Sequence, residues 1–228
     1  MSNKNILTFY CISIIFRTSD IEQLFLNRKE YIMPPKAKFT KQEIVDAALQ
    51  IFREEGLENL TSRNLAKRLG SSACPIFTVF SSMEEVEEAM LEAAKALYKR
   101  YAQTGLAQEI PFRGVGEQYV LFAVNEPRLF QLLFMNESET VPSVDSALPL
   151  LDESYDRILQ SIMSTFSIDR QTAERLYRHL WIYTHGIACL CATKTCRFEP
   201  AEIQDMLTEV FLSLLKNATE AGTVTNNE

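Results

Sequence analysis

The stretch that decides the fold is Thr40-Lys41-Gln42-Glu43-Ile44-Val45-Asp46-Ala47-Ala48-Leu49-Gln50-Ile51-Phe52, continued by Gly56-Leu57-Glu58-Asn59-Leu60-Thr61-Ser62-Arg63-Asn64-Leu65-Ala66-Lys67-Arg68-Leu69-Gly70. Thr40 and Glu43 have the spacing of a capping box, so a helix begins after Thr40. Ile44, Ala47, Ala48, Ile51 and Phe52 recur every three or four residues and make one apolar stripe. Gly56 ends that helix through its tolerance of a left-handed conformation, and Leu57 and Leu60 pack across the link. Thr61 caps a short second helix over Ser62–Leu69 that turns Leu65, Ala66 and Leu69 inward. Gly70 then makes a tight turn into a third helix, capped by Ser71 or Ser72 and running to about Val79. Cys74 and Phe77 are expected inward there, Ile76 is a further candidate, and Phe80 closes the small core.

Ser82-x-x-Glu85 repeats the capping box and opens a long helix through Val86, Met90, Ala93, Ala94, Leu97 and Tyr101. Its first turns carry Glu84, Glu85, Glu87 and Glu88, where the helix dipole favours negative charge. No flexible linker follows, so this helix joins the small unit to a larger one. Val115, Tyr119, Phe122 and Ala123 mark the next helix, ended at Asn125-Glu126-Pro127. Leu129, Phe130, Leu133 and Phe134 mark a short helix after that proline. The segment Glu137–Pro149, rich in Pro, Ser and Thr, is expected to be a loop. Tyr155 to Phe166 is helical again, and two long helices follow. They are apolar on more than one face, which demands more than one partner surface. The fold is therefore all-α: an N-terminal three-helix unit with helix-turn-helix spacing, joined by a long helix to a C-terminal helical domain. The expected boundaries are 34–82 for the first unit, 83–217 for the second and 218–228 for a polar, frayed tail.

At 228 residues, 46% apolar and 23% charged, the composition is that of a globular chain. Its formal charge is −7, yet Pro34–Phe80 carries seven Lys or Arg against five Asp or Glu. From Gly105 onward the balance is nine against seventeen, so the acidity belongs to the C-terminal part. Residues 1–33 read as an accessory arm or an upstream start assigned too early. The apolar run Ile6–Phe16 is half a membrane span, which leaves a weak anchor as a third reading, and no stable membrane association is expected.

Nothing in the chain makes an enzyme. There is no phosphate-binding glycine loop, no elbow presenting a nucleophilic serine, and no histidine pair at metal-ligand spacing. His179 and His185 lie about 240° apart around a helix. The expectation is no catalytic residue, no metal and no cofactor. Cys11, Cys74, Cys189, Cys191 and Cys196 are odd in number and read as free thiols of a reducing cytoplasm, with Cys74 or Cys191 as candidates for redox sensing.

Over roughly Phe39–Leu91 the chain resembles the tetracycline-repressor (TetR/AcrR-like) family. The resemblance rests on Ile44-x-x-Ala47-Ala48-x-x-x-Phe52-x-x-x-Gly56-Leu57-x-x-Leu60-Thr61, on Leu65-Ala66-x-x-Leu69-Gly70-x-Ser72, and on Ile76-Phe77-x-x-Phe80 with Ser82-x-Glu84-Glu85-Val86. Trp181-Ile182-Tyr183-Thr184-His185-Gly186 is similar to a Trp…His-Gly pattern in the penultimate helix of one branch. The resemblance implies a homodimeric regulator, usually a repressor, that releases a double-stranded DNA operator when a small-molecule effector binds the C-terminal domain. It places DNA contacts on Thr61, Ser62 and Arg63 at the start of the second helix. Further contacts fall on Ser72, Ala73, Cys74, Pro75, Phe77 and Thr78 in the recognition segment, where Phe77 reads equally well as core. Arg63, Lys67 and Arg68 are the cations that can reach phosphate.

The chain departs from the family pattern in having Ala73, Pro75, Phe77-Thr78-Val79, Ser81 and Met83 where lysines, threonine and Tyr-His-Tyr are common. The recognition segment thus has no basic side chain. Phe122, Phe130, Phe134, Tyr155, Trp181 and His185 are candidates to line an effector cavity. Leu180, Thr184, Ile187, Leu207, Phe211 and Leu214 are candidates for the dimer seam. Two functions remain in competition: an effector-gated DNA-binding regulator, and a helical ligand-binding or protein-interaction dimer with weak or lost operator binding.

Overall fold

Thr40 caps the first helix, α1 (Lys41–Glu55), from both sides. Its hydroxyl accepts from the Glu43 N–H at 3.2 Å while the Glu43 carboxylate accepts from the Thr40 N–H at 2.7 Å. The computed structural model describes residues 37–136, 143–151 and 154–224, so the arm expected over 1–33 lies outside them. All regular structure among the described residues is helical. The stripe of α1 is buried, joined by Val45 and Leu49, and Gly56 ends it at φ +92°. Thr61 caps α2 (Ser62–Arg68) by accepting from the Asn64 N–H. The turn after α2 has Gly70 at φ +62°, with Ser71 N–H donating to Ala66 O and Gly70 N–H to Lys67 O. Those two bonds are the Schellman pattern that satisfies the last carbonyls of a helix.

The third element differs from expectation. Where a helix from Ser71 or Ser72 to Val79 was anticipated, the chain makes turns and one 3-10 helix, Ile76–Thr78. Pro75 is the reason: it brings no N–H, and it disfavours helical backbone at Cys74 before it. The register moves with it. Ile76 and Phe80 enter the core, while Cys74 is exposed and Phe77 is 45% exposed.

Ser82 opens α3 (Met83–Leu106), accepting from Glu85 N–H, and the Glu85 carboxylate accepts from Ser81 N–H, one residue before the cap. The helices that follow are α4 (Pro111–Asn125), α5 (Pro127–Phe134), α6 (Val144–Leu151), α7 (Tyr155–Phe166), α8 (Arg170–Ala192) and α9 (Pro200–Val224). Pro111 and Pro127 sit in first turns, where a missing N–H costs nothing. Helix α6 corrects the loop expected over Glu137–Pro149 for its described part, 143–149; residues 137–142 lie outside the described residues. Ser143 accepts from the Ser146 N–H, Leu148 is buried, and Arg178 of α8 binds Asp145 at 3.0 Å. Helix α9 stays helical past the 217/218 boundary drawn from the sequence.

Helices α3 and α4 run antiparallel at close range. Gly105 faces Gly114, and a Cβ on Gly105 would lie 2.6 Å from the Gly114 carbonyl carbon. Away from that crossing the aromatic residues interlock. Tyr98 meets Tyr119 and Phe122, and Tyr101 meets Phe122 at 5.2 Å. One apolar cluster runs from Ile44, Leu65 and Ile76 through Val86 and Met90 into Tyr119, Phe122, Phe130 and Ile187. A second gathers Phe112, Ile158, Leu159, Ile162, Tyr177 and Leu180. At the α4–α5 corner, Glu126 takes both arms of Arg53 at 2.7 and 2.9 Å, and Arg128 donates to the Phe52 and Arg53 carbonyls at the end of α1.

Gly105→Ala is expected to lower stability by about 1–3 kcal/mol, because backbone rather than a side chain must move. Gly116→Ala, on the same α4 but with open space at its Cβ, is expected to be neutral or stabilising by up to about 1 kcal/mol. Urea unfolding of the two variants checks the contrast.

Candidate functional site

The surface around α2 and the recognition segment is assembled by the turns just described. Thr61, Arg63 and Lys67 are exposed along α2. Ser72, Cys74, Phe77 and Thr78 are exposed beside it; Ser62, Ala73 and Pro75 are half-buried. The nine sequence-chosen positions therefore form two adjacent strips, with Arg63 as their only cation. Arg68 is engaged elsewhere: it binds Glu54 at 3.1 Å and Glu55 at 3.4 Å. The hydrogen bond from Arg68 holds the Glu54 carboxyl below its usual range, and the same bond raises the guanidinium. Thr78 donates its hydroxyl proton to the Pro75 carbonyl at 2.7 Å, which leaves its oxygen an acceptor toward the outside. Lys41 is held over the Phe80 ring.

Within the C-terminal bundle lies a cavity of about 260 Å³. Its walls are largely aromatic and aliphatic: Tyr98 of α3, Phe112, Val115 and Tyr119 of α4, Tyr177, Leu180 and Trp181 of α8, and Leu207 and Phe211 of α9. Thr184, Gln204, Thr208 and the Arg113–Glu117 pair, 2.7 Å apart, are its polar groups. Of the six residues proposed from sequence to line a cavity, Trp181 lines this one. Phe122 and Phe130 are fully buried core, and Phe134 packs on Tyr98 and Tyr119. Tyr155 stands against Tyr177. His185 lies one layer behind, stacked on Trp181 at 4.9 Å with the planes 7° apart.

Four of the six residues offered for the seam, Leu180, Thr184, Ile187 and Leu207, are buried. Leu180, Thr184, Leu207 and Phe211 line the cavity, and Ile187 is buried core. Leu214 is half-exposed on α9. The lining residues Tyr98, Phe112, Tyr119 and Gln204 were not singled out from the sequence. Tyr119 did stand in an apolar stripe, but a stripe reports only that a side chain faces inward, and a packed interior and a hollow one look alike in it.

His185 is the polar centre behind the cavity wall. Its Nδ1 is 2.9 Å from the Tyr119 hydroxyl and its Nε2 is 3.3 Å from the Cys189 sulfur. Burial lowers the imidazole's pKa and raises that of the Cys189 thiol, so both are held neutral. A neutral imidazole donates at one nitrogen and accepts at the other, which suits this three-group chain. No group of three or more His, Cys, Asp and Glu able to hold a metal occurs among the described residues. No helix among them is long and apolar enough to cross a membrane.

A depressed histidine pKa makes stability depend on pH. As pH falls below the unfolded value of about 6.5, the unfolded chain binds a proton that the folded chain refuses. Stability present above that pH is then lost until the folded pKa is reached. In urea unfolding at about pH 7.5 and about pH 5.5, His185→Gln is expected to lose less stability on acidification than the parent protein. Equal slopes would remove His185 as the cause.

With this geometry in place, two matches to known families account for most of the chain. Residues 44–90 match the bacterial regulatory proteins of the tetR family. Residues 112–214 match the tetracyclin repressor-like C-terminal domain. No curated protein sequence matches the chain. Among solved structures, it is similar to a TetR-like transcriptional regulator from Rhodococcus sp. RHA1, at 17% identity and a TM-score of 0.54, covering 75% of this chain and 93% of the other. A candidate fatty acid metabolism regulator from Clostridium perfringens aligns at 14% identity and a TM-score of 0.54, over 76% and 97% of the two chains. A candidate TetR-family regulator from Mesorhizobium loti MAFF303099 aligns at 18% identity and a TM-score of 0.50, over 77% and 95%. The first match runs into the long helix that carries both the recognition core and the cavity wall, the second begins just beyond it, and the chain belongs to the tetR family of bacterial regulatory proteins.

Proposed function

We propose that the protein is a cytoplasmic homodimeric repressor that leaves a palindromic operator when a small apolar or amphipathic molecule enters the cavity. Family membership already makes it a ligand-responsive DNA-binding regulator and not an enzyme. One observation carries the finer reading. Met90 and Tyr98 stand on the same helix, α3, about 12 Å apart along its axis. The first is buried in the core under the recognition segment and the second lines the cavity. A ligand that displaces Tyr98 therefore acts on the element that seats the DNA-reading unit. Aromatic walls with few polar groups favour an apolar body with one or two polar ends.

Dimerisation is assigned to the outer faces of α8 and α9. Ile182 and Leu190 on α8 are 49% and 37% exposed, and Leu212 on α9, which also lines the cavity, is 56% exposed. Gly186 lies between the first two on α8, and among the described residues no atom beyond its own stretch of helix comes within 4 Å of its Cβ position. A helical glycine costs about 1 kcal/mol against alanine; close approach of a second copy gives that cost a purpose. Gly186→Leu is expected to shift the dimer to monomer in sedimentation at micromolar concentration. A dimer of unchanged affinity would move the seam elsewhere.

At the DNA face, Arg63 serves as a phosphate contact and Thr78 as an acceptor toward an adenine or cytosine amino group. Phe77 offers an apolar contact to a thymine methyl. The competing reading, a dimer with lost operator binding, is favoured by the uncharged recognition segment and by the Glu54 and Glu55 carboxylates on Arg68. Selection of duplex sites by the purified protein, with binding measured at roughly 50 and 200 mM salt, separates the two. The repressor reading expects one near-palindromic site bound well above random duplex. Glu54→Gln is expected to strengthen binding several-fold at the lower salt and to steepen the salt dependence, since it releases Arg68 to phosphate. Arg63→Ala is expected to weaken all sequences alike. No preference at the lower salt would favour the dimer without an operator.

A further inference from the structure

We propose that Cys191 and Cys196 are an oxidisable dithiol that closes a disulfide across the C-terminal cap of α8 when a hydroperoxide reaches it. After Ala192 the chain folds back on the last turn of the helix. Lys194 N–H donates to Cys191 O at 3.0 Å, Thr195 N–H to Leu190 O at 3.0 Å, and Cys196 N–H to the same Leu190 O at 3.3 Å. The Leu190 carbonyl is bonded to the nitrogen of Cys191. Through that oxygen the two Cα atoms can be at most about 7.5 Å apart with every link extended, and the ordinary bond angle at the Cys196 nitrogen lowers that limit to about 7 Å, the outer edge of disulfide range. The reversal is built for its shape. Lys194 holds φ +57°, a region non-glycine residues seldom enter. The Thr193 hydroxyl braces it, bonding to Cys189 O at 2.7 Å and to the Thr195 hydroxyl at 2.9 Å.

The two thiols differ in the way a peroxide-reactive pair requires. Cys196 is exposed and Cys191 is half-buried. Cys196, the exposed thiol, is the one a peroxide reaches and so attacks, and half-buried Cys191, whose thiol burial and, after it, the nearness of Cys196 push up, resolves. The Cys196 thiolate takes the distal oxygen of the hydroperoxide, the O–O bond breaks, and the departing oxygen takes up a proton as water or an alcohol. Cys196 is left as a sulfenic acid. The Cys191 sulfur then attacks the Cys196 sulfur, the S–O bond breaks, and the hydroxyl leaves as water with the Cys191 proton. Two thiols have given two electrons and two protons to the peroxide, and an external thiol reverses the bridge. The bridged turn is one that α5 holds, because Gln131 donates to Ala192 O at 2.7 Å.

Trypsin supplies the test, since it cuts after Lys194, between the two cysteines. The full-length reduced protein is treated with hydrogen peroxide, its remaining thiols are alkylated, and its tryptic peptides are weighed with and without a reductant. The expected product is peptide 179–194 joined to peptide 195–197, from a chain that still runs at monomer size on a non-reducing denaturing gel. The joined pair is expected to persist in Cys189→Ser and to vanish in Cys191→Ser and in the surface variant Cys196→Ser. In Cys191→Ser, Cys196 is expected to proceed to sulfinic acid. A joined pair that survives Cys191→Ser, a link that forms between chains, or a wild-type Cys196 that over-oxidises without joining overturns the proposal.

Discussion

Two helices can run side by side at backbone distance only where neither has a side chain, and Gly105 against Gly114 is that place. The crossing sets how α3 and α4 lie on each other, and most of the molecule follows from that pair. Phe122 and Tyr119 of α4 reach the aromatic face of α3 because the pair is close at its loop end. The same pairing puts the α4–α5 corner beside the end of α1, where Glu126 and Arg128 find Arg53 and the last carbonyls of that helix. It also leaves a hollow between Tyr119, Trp181 and Phe211 that no side chain fills. Packing at the crossing and the gap further along are two results of one geometry.

The parts of the fold written in local chemistry were legible. The Thr40 capping box, the Gly56 and Gly70 stops and the α1 stripe need only neighbours three to five residues away and stand as expected, while at Ser82 the cap forms but the Glu85 carboxylate returns to Ser81 N–H and not to that of the cap. In the recognition segment a cap and a period point to a helix, and Pro75, whose missing N–H decides the matter, overrides both. Helix α6 was missed because Pro149 and the serines outweighed one buried leucine and a distant ion pair. The site was less legible. Four residues of α8 and α9 that the sequence offers for a dimer seam, Leu180, Thr184, Leu207 and Phe211, line the cavity. Periodicity tells which face of a helix is apolar; what that face meets depends on helices a hundred residues away. The free face of α8 shows instead as a glycine with nothing over it.

The DNA-facing surface holds opposing tendencies. Its fold is that of a major-groove reader, while its charge is neither abundant nor fully available, because Glu54 and Glu55 occupy Arg68. Surface ion pairs of this kind are weak. A phosphate oxygen competes for the same guanidinium, so the pair sets a threshold on binding without forbidding it. Under the proposed operator binding, sequence preference would rest on Thr78 and Phe77 to a greater degree than in a segment with lysines, since no basic side chain of that segment adds attraction to phosphate.

The continuity of the first apolar cluster has a consequence for taking the protein apart. Val86 and Met90, fully buried beneath Ile44, Leu65 and Ile76, belong to α3 and not to the helix-turn-helix segment. A fragment cut at Ser82 would leave its own interior behind, and a graft of that fragment onto another scaffold would expose the underside of α1. The reading head is thus not a detachable part: evolution or an engineer wishing to exchange it must exchange the first two turns of α3 and refit the Glu126–Arg53 corner with it.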